Sequence, residues 1–255
     1  MLDSSPQFRM IELDETTSTN SFLADYHPLR PTELTLVTAD YQTAGRGQTG
    51  NTWESERGKN LLFSLLLCPK DLLASQMFLI SEAIVLAIRD AIDAILREHS
   101  SKSLPEVTIK WPNDVYVGNH KIAGILIENT LCGQYVGSSI IGCGINVNQA
   151  FFHSDAPNPV SLCQLLGLEL ERSFVLDAVI TRFRRNLSSL ATLHPAYLSA
   201  LYRREGFHPF ILPSSSTPFL AEIADVEPSG HLVLRDTEGT LLRFAFKEVS
   251  YVINC

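Results

Sequence analysis

Four β-rich runs lie in close succession: Val107 to Trp111, Val115 to Val117, Lys121 to Glu128 and Tyr135 to Val147. Pro112-Asn113, Gly118-Asn119 and Gly133-Gln134 separate them and read as turns. Connections this short favour antiparallel neighbours, because a parallel pair needs a long crossover. A sheet of this kind must be covered on at least one side. The clearest cover is a helix that Ser75 is expected to cap, in which Ile80, Ile84, Ile88, Ile92 and Leu96 recur at the helical period with charges on the other face.

The remaining elements extend the same architecture. Ser18-Thr19-Asn20 before Phe22, Leu23 and Tyr26 predicts a short capped helix. Leu34 to Ala39 and Leu61 to Leu67 predict strands, and 41–60, rich in Gly, Thr, Gln and Asn, predicts a long loop. Two helical stretches follow, Phe174 to Leu193 and Pro195 to Glu205. From Phe207 the pattern changes to short strands with turn signals, which suggests a small all-β unit. The expectation is an α+β chain, with residues 1–205 forming a larger domain and 206–255 a small β domain.

Composition narrows the function. A net charge of −8 and a pI near 5.4 argue against a general nucleic-acid surface, which needs a clustered basic patch. Met1 to Glu15 lacks the charged-then-apolar order of a signal peptide. Leu61 to Cys68 is too short to span a bilayer, and the helix near Ile84 is interrupted by Glu82, Arg89, Asp90 and Asp93. The expectation is therefore a cytoplasmic protein that meets neither DNA nor membrane. The five cysteines, Cys68, Cys132, Cys143, Cys163 and Cys255, include no Cys-x-x-Cys pair and read as reduced thiols. The seven histidines show no metal-ligand spacing.

Gly45-Arg46-Gly47-Gln48-Thr49-Gly50 matches the letters of a dinucleotide-binding loop. Such a loop must run straight into an apolar helix that receives the pyrophosphate on its N-terminus. Asn51 to Gly58 does not provide one, and no Lys-Ser or Lys-Thr follows Gly50 to make a phosphate loop of the other kind. What remains is glycine backbone able to approach a ligand closely, a permanent cation at Arg46, and amides at Gln42 and Gln48. Taken alone, these features also fit a surface loop with a solvated arginine.

Two lysines sit inside apolar strands. Lys110 alternates away from Val107, Ile109 and Trp111, whereas Lys121 is expected on the face of Ala123, Ile125 and Ile127. A lysine on an apolar face costs free energy unless it is paired or meets an anion, although one at a strand end can snorkel to water. Two such lysines on adjacent strands, with Arg46 on a loop nearby, make a plausible phosphate clamp. Gly142-x-Gly144-x-Asn146-x-Asn148 ends a strand with small residues and amides, which suits close contact with a flat ligand or, equally, a β-bulge.

Taken together, the segments resemble biotin–protein ligases. The pieces that carry the resemblance are Ser18-Thr19-Asn20, Gln42 to Gly47, Trp53, Lys110-Trp111-Pro112-Asn113-Asp114, Lys121 to Glu128, and Gly142 to Asn146, in the family's order. The resemblance is strong over roughly residues 10–150 and weak over the C-terminal part. It implies a mixed, largely antiparallel sheet flanked by helices, related to class II aminoacyl-tRNA synthetases, followed by a small SH3-like barrel. It also implies a reaction in which biotin and ATP, with magnesium, give biotinyl-AMP. The biotinyl group then passes to a lysine of a biotin carboxyl carrier domain.

The site that the resemblance implies has several parts. Its biotin-binding residues are Ser18, Thr19, Asn20, Gln42, Gly45, Arg46, Gly47, Gln48, Lys121, Gly124, Ile125 and Gly142, and its nucleotide-binding residues are Trp53, Lys110, Asn113, Gly144 and Asn146. Arg46, Lys110 and Lys121 are expected to offset the repulsion between carboxylate and phosphate, and Asp114 to orient or deprotonate the acceptor lysine. No protein-only metal site or prosthetic group is expected, and the chain would act as a monomer or homodimer. The chain departs from many members of the family in having Gln48 where they carry a second cation. The regulatory members begin with a DNA-binding domain, and with Ser18 so near the start of the sequence the expectation is a short form without one. Rival readings are a lipoate–protein ligase, whose Arg-Arg, Gly-Gly-Gly and His-Asp pattern is not seen, and a non-catalytic sensor, which the presence of both lysines disfavours.

Overall fold

The computed structural model of the chain describes residues 8–27, 34–48, 50–100, 102–153 and 158–253. Thr49 and Cys255 therefore lie outside the described residues. The larger sheet has seven strands: β1 (Phe8–Thr16), β2 (Leu34–Gln42), β3 (Leu61–Leu67), β4 (Val107–Lys110), β5 (Asp114–Val117), β6 (His120–Cys132) and β7 (Tyr135–Ile145). They run in the order β1-β2-β3-β7-β6-β5-β4, and only the β1–β2 pair is parallel. The short turns thus gave antiparallel neighbours as expected. The β1 strand was not anticipated: its charged, largely exposed sequence carries no alternation strong enough to read.

Strand alternation divides the sheet's two faces. On one face Leu34, Leu36, Phe63, Leu65, Val115, Val117, Ala123, Ile125, Ile141, Cys143 and Ile145 join the main core. Helix α2 (Phe78–His99) fills this face with Ile80, Ile84, Ile88, Ile92 and Leu96, all buried, and packs with α4 (Arg172–Leu187). On the opposite face, helix α1 (Thr19–Ala24) packs on β2, β3 and the edge of β7, where Leu23 packs with Val37 and Leu66. That leaves the β4–β7 end of this face, with Gly124, Gly142 and Gly144, to be covered by loops.

Several local expectations needed correction. Ser75 does not cap α2; it lies in a 3-10 turn over Ala74–Gln76, and Met77 holds the N-cap position with no side-chain bond. Glu82 does not join the charged face of α2 but is buried, bonded through Oε1 to His194 Nδ1 at 2.7 Å. The two later helices are shorter than their patterns suggested, α4 ending at Leu187 and α5 covering only His194–Ser199. A short α3 (Leu162–Leu166), with a capping box formed by Ser161 and Gln164, was missed.

A second, five-stranded antiparallel sheet follows: β8 (His208–Ile211), β9 (Phe219–Val226), β10 (Leu232–Asp236), β11 (Leu241–Phe244) and β12 (Ser250–Tyr251). Its buried residues Phe210, Ile223, Leu232 and Leu234 belong to the same core as α2 and the first sheet. Trp111 Nε1 donates to Gly230 O at 2.9 Å, tying the β4–β5 turn to the β9–β10 turn. A Cβ on Gly230 would stand 2.7 Å from the Phe78 ring, and its φ of 89° is one that residues with side chains rarely adopt. Among the described residues, no helix is long and apolar enough to cross a membrane.

Candidate active site

The uncovered end of the glycine face is the floor of a cavity of about 480 Å³. Its walls are the 43–60 loop, the first turn of α1, the β4–β5 turn and the segment from Phe246 to Ile253. The floor is flat because its strands have no side chains there. A Cβ on Gly144 would stand 2.3 Å from Trp53 Cε2, one on Gly124 2.8 Å from Trp53 Cζ3, and one on Gly142 2.1 Å from Asn20 Oδ1. Glycine at these three positions lets the Trp53 indole and the Asn20 amide lie directly on the sheet.

One end of the cavity is polar and uncharged. Ser18, Thr19 and Asn20 are buried there at the start of α1, where Thr19 donates from its amide to Gln42 Oε1 at 2.7 Å and from its hydroxyl at 3.1 Å. Ser64 lies beneath them, its Oγ 2.6 Å from both Thr19 Oγ1 and Asn20 Oδ1. Ser18 takes the N-cap position of α1, but its side chain makes no capping bond.

The other end is cationic. Lys121 Nζ lies 2.7 Å from Asp114 Oδ1 and 5.6 Å from the Trp53 ring. Its position corrects the expectation that it shares a face with Ala123, Ile125 and Ile127. In the β5–β6 pair, Val115 faces Ala123 but Tyr116 faces Lys121, so Ile122 is bulged out and the alternation inverts. The bulge puts Lys121 on the glycine face, where a Cβ on Gly124 would stand 3.1 Å from its Nζ. Lys110 projects to the same face from β4, separated from Lys121 on β6 by β5 rather than on an adjacent strand as expected, with Nζ 5.5 Å from the Tyr116 ring and 5.3 Å from the Tyr251 ring. It has no ion-pair partner among the described residues. Burial lowers its pKa below the usual lysine value; the charge of Asp114 offsets part of this, and Lys121 adds a further push down.

Most of the residues expected at the site converge here. Ser18, Thr19, Asn20, Gln42, Arg46, Gly47, Gln48, Trp53, Lys110, Asn113, Asp114, Lys121, Gly124, Ile125, Gly142 and Gly144 all line the cavity. Gly45 and Asn146 are not in its lining. The Asn146 amide is committed to a buried network, donating to Val160 O at 3.1 Å and accepting from Asn60 at 3.4 Å. In the Gly-x-Gly-x-Asn-x-Asn run, therefore, the glycines face the cavity while the asparagines brace the loop behind it; Asn148 is also internally bonded, to Leu170. Arg46 lines the cavity but is paired with Glu128 at 2.6 Å.

Sequence reasoning missed Ser64, Glu128, Asn158 and the C-terminal wall of Phe246, Lys247, Val249, Ser250, Tyr251 and Ile253. A local pattern cannot signal a wall supplied by a distant sheet. The left-handed backbone of Lys247, φ 69°, is visible only in the folded chain.

Residues 12–146 match the biotin/lipoate A/B protein ligase family. The chain is 34% identical over 167 residues to the bifunctional ligase/repressor BirA of Bacillus spizizenii, covering 63% of this chain and 48% of that protein. It is 29% identical over 214 residues to the biotin–[acetyl-CoA-carboxylase] ligase of Paracoccus denitrificans, covering 80% and 85% of the two. The structure resembles a biotin protein ligase from Aquifex aeolicus in complex with biotin and ATP, with a TM-score of 0.74 at 25% identity over 95% and 97% of the two chains. The chain spans about half the length of the Bacillus relatives it matches.

Proposed function

The chain belongs to the biotin/lipoate A/B protein ligase family, and from that premise we propose that it is a biotin–protein ligase. It joins biotin to ATP as biotinyl-AMP and passes the biotinyl group to a lysine of a carboxylase carrier domain. One observation carries the reading: a single cavity has an uncharged hydrogen-bonding end at Ser18, Thr19 and Gln42 and a cationic end at Lys110 and Lys121, joined by a glycine floor. Biotin has the matching polarity, with a neutral ureido ring at one end and a carboxylate at the other.

In the first step a biotin carboxylate oxygen attacks the α-phosphorus, the bond to the bridging oxygen breaks, and pyrophosphate leaves. Two anions must approach, so a cation at their meeting point lowers the barrier. Lys110 is suited to this because it is buried beside two aromatic rings and lacks a carboxylate partner among the described residues. Lys121 is held by Asp114 beside Trp53, in reach of the same end. Magnesium enters as the counter-ion of the nucleotide, as part of the substrate. Trp53, Asn113 and Gly144 form the nucleotide side. In the second step the neutral amine of the acceptor lysine attacks the acyl carbon, AMP leaves with the bonding electron pair, and an amide forms. In this reading Asp114, beside Lys121, orients that amine.

Residues 206–255 form, in this reading, a small SH3-like barrel distinct from a ligase domain over 1–205, its last strand region closing the cavity. The net charge of −8 supports a ligase role without phosphate-backbone contacts. The test is pyrophosphate release from ATP and magnesium with biotin or lipoate as the acid, followed by transfer to a carrier domain. Biotin should support release and lipoate should not; equal or greater turnover with lipoate overturns the assignment.

A further inference from the structure

A chain of hydrogen bonds runs from the middle of the sheet to the glycine loop through Ser64, Asn20, Glu128 and Arg46. Ser64 Oγ contacts Asn20 Oδ1 at 2.6 Å. Asn20 Nδ2 donates to Glu128 Oε2 at 2.8 Å and to Leu126 O at 3.4 Å. The same carboxylate accepts both arms of the Arg46 guanidinium, Nη2 to Oε1 at 2.6 Å and Nη1 to Oε2 at 3.2 Å. Glu128 thereby joins the first turn of α1 to the glycine loop, two segments that both line the ligand cavity.

The loop end of this chain is itself structured. Arg46 forms a β-bridge with Thr52, Gly47 N donates to Asn51 O at 3.0 Å, and Trp53 N donates to Gly45 O at 3.0 Å. A guanidinium pinned to β6 thus fixes a small hairpin whose last residue, Trp53, lies on the glycine floor. The ion pair alone is about four-tenths exposed (44% and 38%), and such pairs contribute little. Its specificity comes from the bond that Glu128 shares with the buried Asn20.

We propose that Glu128 is a positioning residue of the ligand site, and that Arg46 acts through it as the anchor of the glycine loop rather than as a cation on the reacting phosphate. A bidentate carboxylate already neutralises Arg46. To reach a phosphate, the arginine would have to leave an ionised Glu128 uncompensated beside the incoming anions. Lys110 meets no such obstacle. The consequence for turnover rests on the ligase reading; the anchoring does not.

The experiment uses Glu128→Gln, Arg46→Gln and the double variant of the full chain. Kinetics are read as biotin-dependent pyrophosphate exchange, with KM for biotin and ATP separated. Each single variant should raise the biotin KM about ten-fold, the usual loss for one charge-assisted hydrogen bond, and leave the ATP KM within about two-fold. The double variant should be no worse than the worse single, because both changes cut one connection. If Arg46→Gln mainly raises the ATP KM or slows exchange while Glu128→Gln does neither, Arg46 is a phosphate cation and the proposal falls. Amide hydrogen exchange at residues 43–48, measured without ligand, should be faster in both single variants; unchanged exchange also overturns the proposal. If the parent shows no biotin-dependent exchange, the ligase reading fails, and the amide measurement still decides the anchoring.

Discussion

Lys121 and Asp114 form an ion pair of 2.7 Å across the β5–β6 pair, and the pair exists because Ile122 is bulged out of the strand between them and the core. Without the bulge, alternation would turn the Lys121 ammonium into the apolar face with Ala123 and Ile125, where an unpaired charge is strongly disfavoured. The bulge delivers the ammonium to the cavity floor, and the carboxylate holds it there.

If that ammonium offsets the charge of the meeting carboxylate and phosphate, Lys121→Ala should slow adenylation by roughly 10²–10³-fold, the usual loss for one oriented donor. The fold should survive, since the side chain lines a cavity rather than filling the core. Single-turnover formation of biotinyl-AMP, with circular dichroism as a folding control, measures it. Normal adenylation by a folded variant would leave Lys121 a structural residue.

Gly144→Ala should displace the Trp53 ring, because the new Cβ would stand 2.3 Å from Cε2 and 2.6 Å from Nε1. Overpacking of this kind costs about 1–3 kcal/mol where neighbours cannot move. The Trp53 loop is half-exposed, so ligand affinity should suffer more than the melting temperature. Calorimetric titration of the variant should show weaker binding of biotin and nucleotide together. Unchanged affinity would mean that the indole is free to leave the floor.

Gln48 lines the cavity and brings no charge to it. Charge-assisted bonds to phosphate are roughly twice as strong as neutral ones. Gln48→Arg should therefore slow release of biotinyl-AMP, by about ten-fold for a gain of 1–2 kcal/mol. Release rates of the two proteins at low salt, where a charge effect is largest, make the comparison. Indistinguishable rates would show that another residue of the lining, such as Asn51, already supplies the contact.

His194 bridges the two sheets' supports, its Nδ1 2.7 Å from Glu82 on α2 and its Nε2 3.1 Å from Asp225 on β9, with the Tyr197 ring stacked at 6.4 Å. Burial pulls the imidazole pKa down, but the hydrogen bonds and charges of both carboxylates outweigh it, and the net shift from 6.5 is upward. A group with a raised folded pKa contributes stability that is complete below its unfolded value and lost as pH rises through the folded one. Burial likewise pushes Glu82 above 4.5, with His194 partly offsetting, so its contribution also falls with rising pH, from 4.5 upward. The melting temperature of the parent should decline as pH rises from about 6.5 through the folded value of His194. His194→Gln should flatten that decline. A decline of equal size in the variant would remove His194 as its source.

The sequence by itself determined what depends on near neighbours along the chain. Period-two alternation and turns too short for a crossover made β4 to β7 an antiparallel run, and the isoleucine stripe made α2 a buried helix. The sequence also carried the motifs whose residues line one cavity, because glycine, lysine and amide types are needed there for chemical reasons that do not depend on packing. The tertiary structure alone decided what depends on a partner strand or a distant segment. The Ile122 bulge is a property of register with β5, and it reversed the face of Lys121. The pairing of Glu128 with Arg46 joins residues 82 positions apart, and it turned an apparent free cation into a bonded one. Glu82 is buried with its carboxyl oxygen bonded to Nδ1 of His194, 112 residues away. The wall from Phe246 to Ile253 exists because the second sheet packs into the core of the first. Local pattern carries the short-range terms of the free energy; burial and charge pairing are settled by contacts between segments far apart in the chain, which no window along the sequence contains.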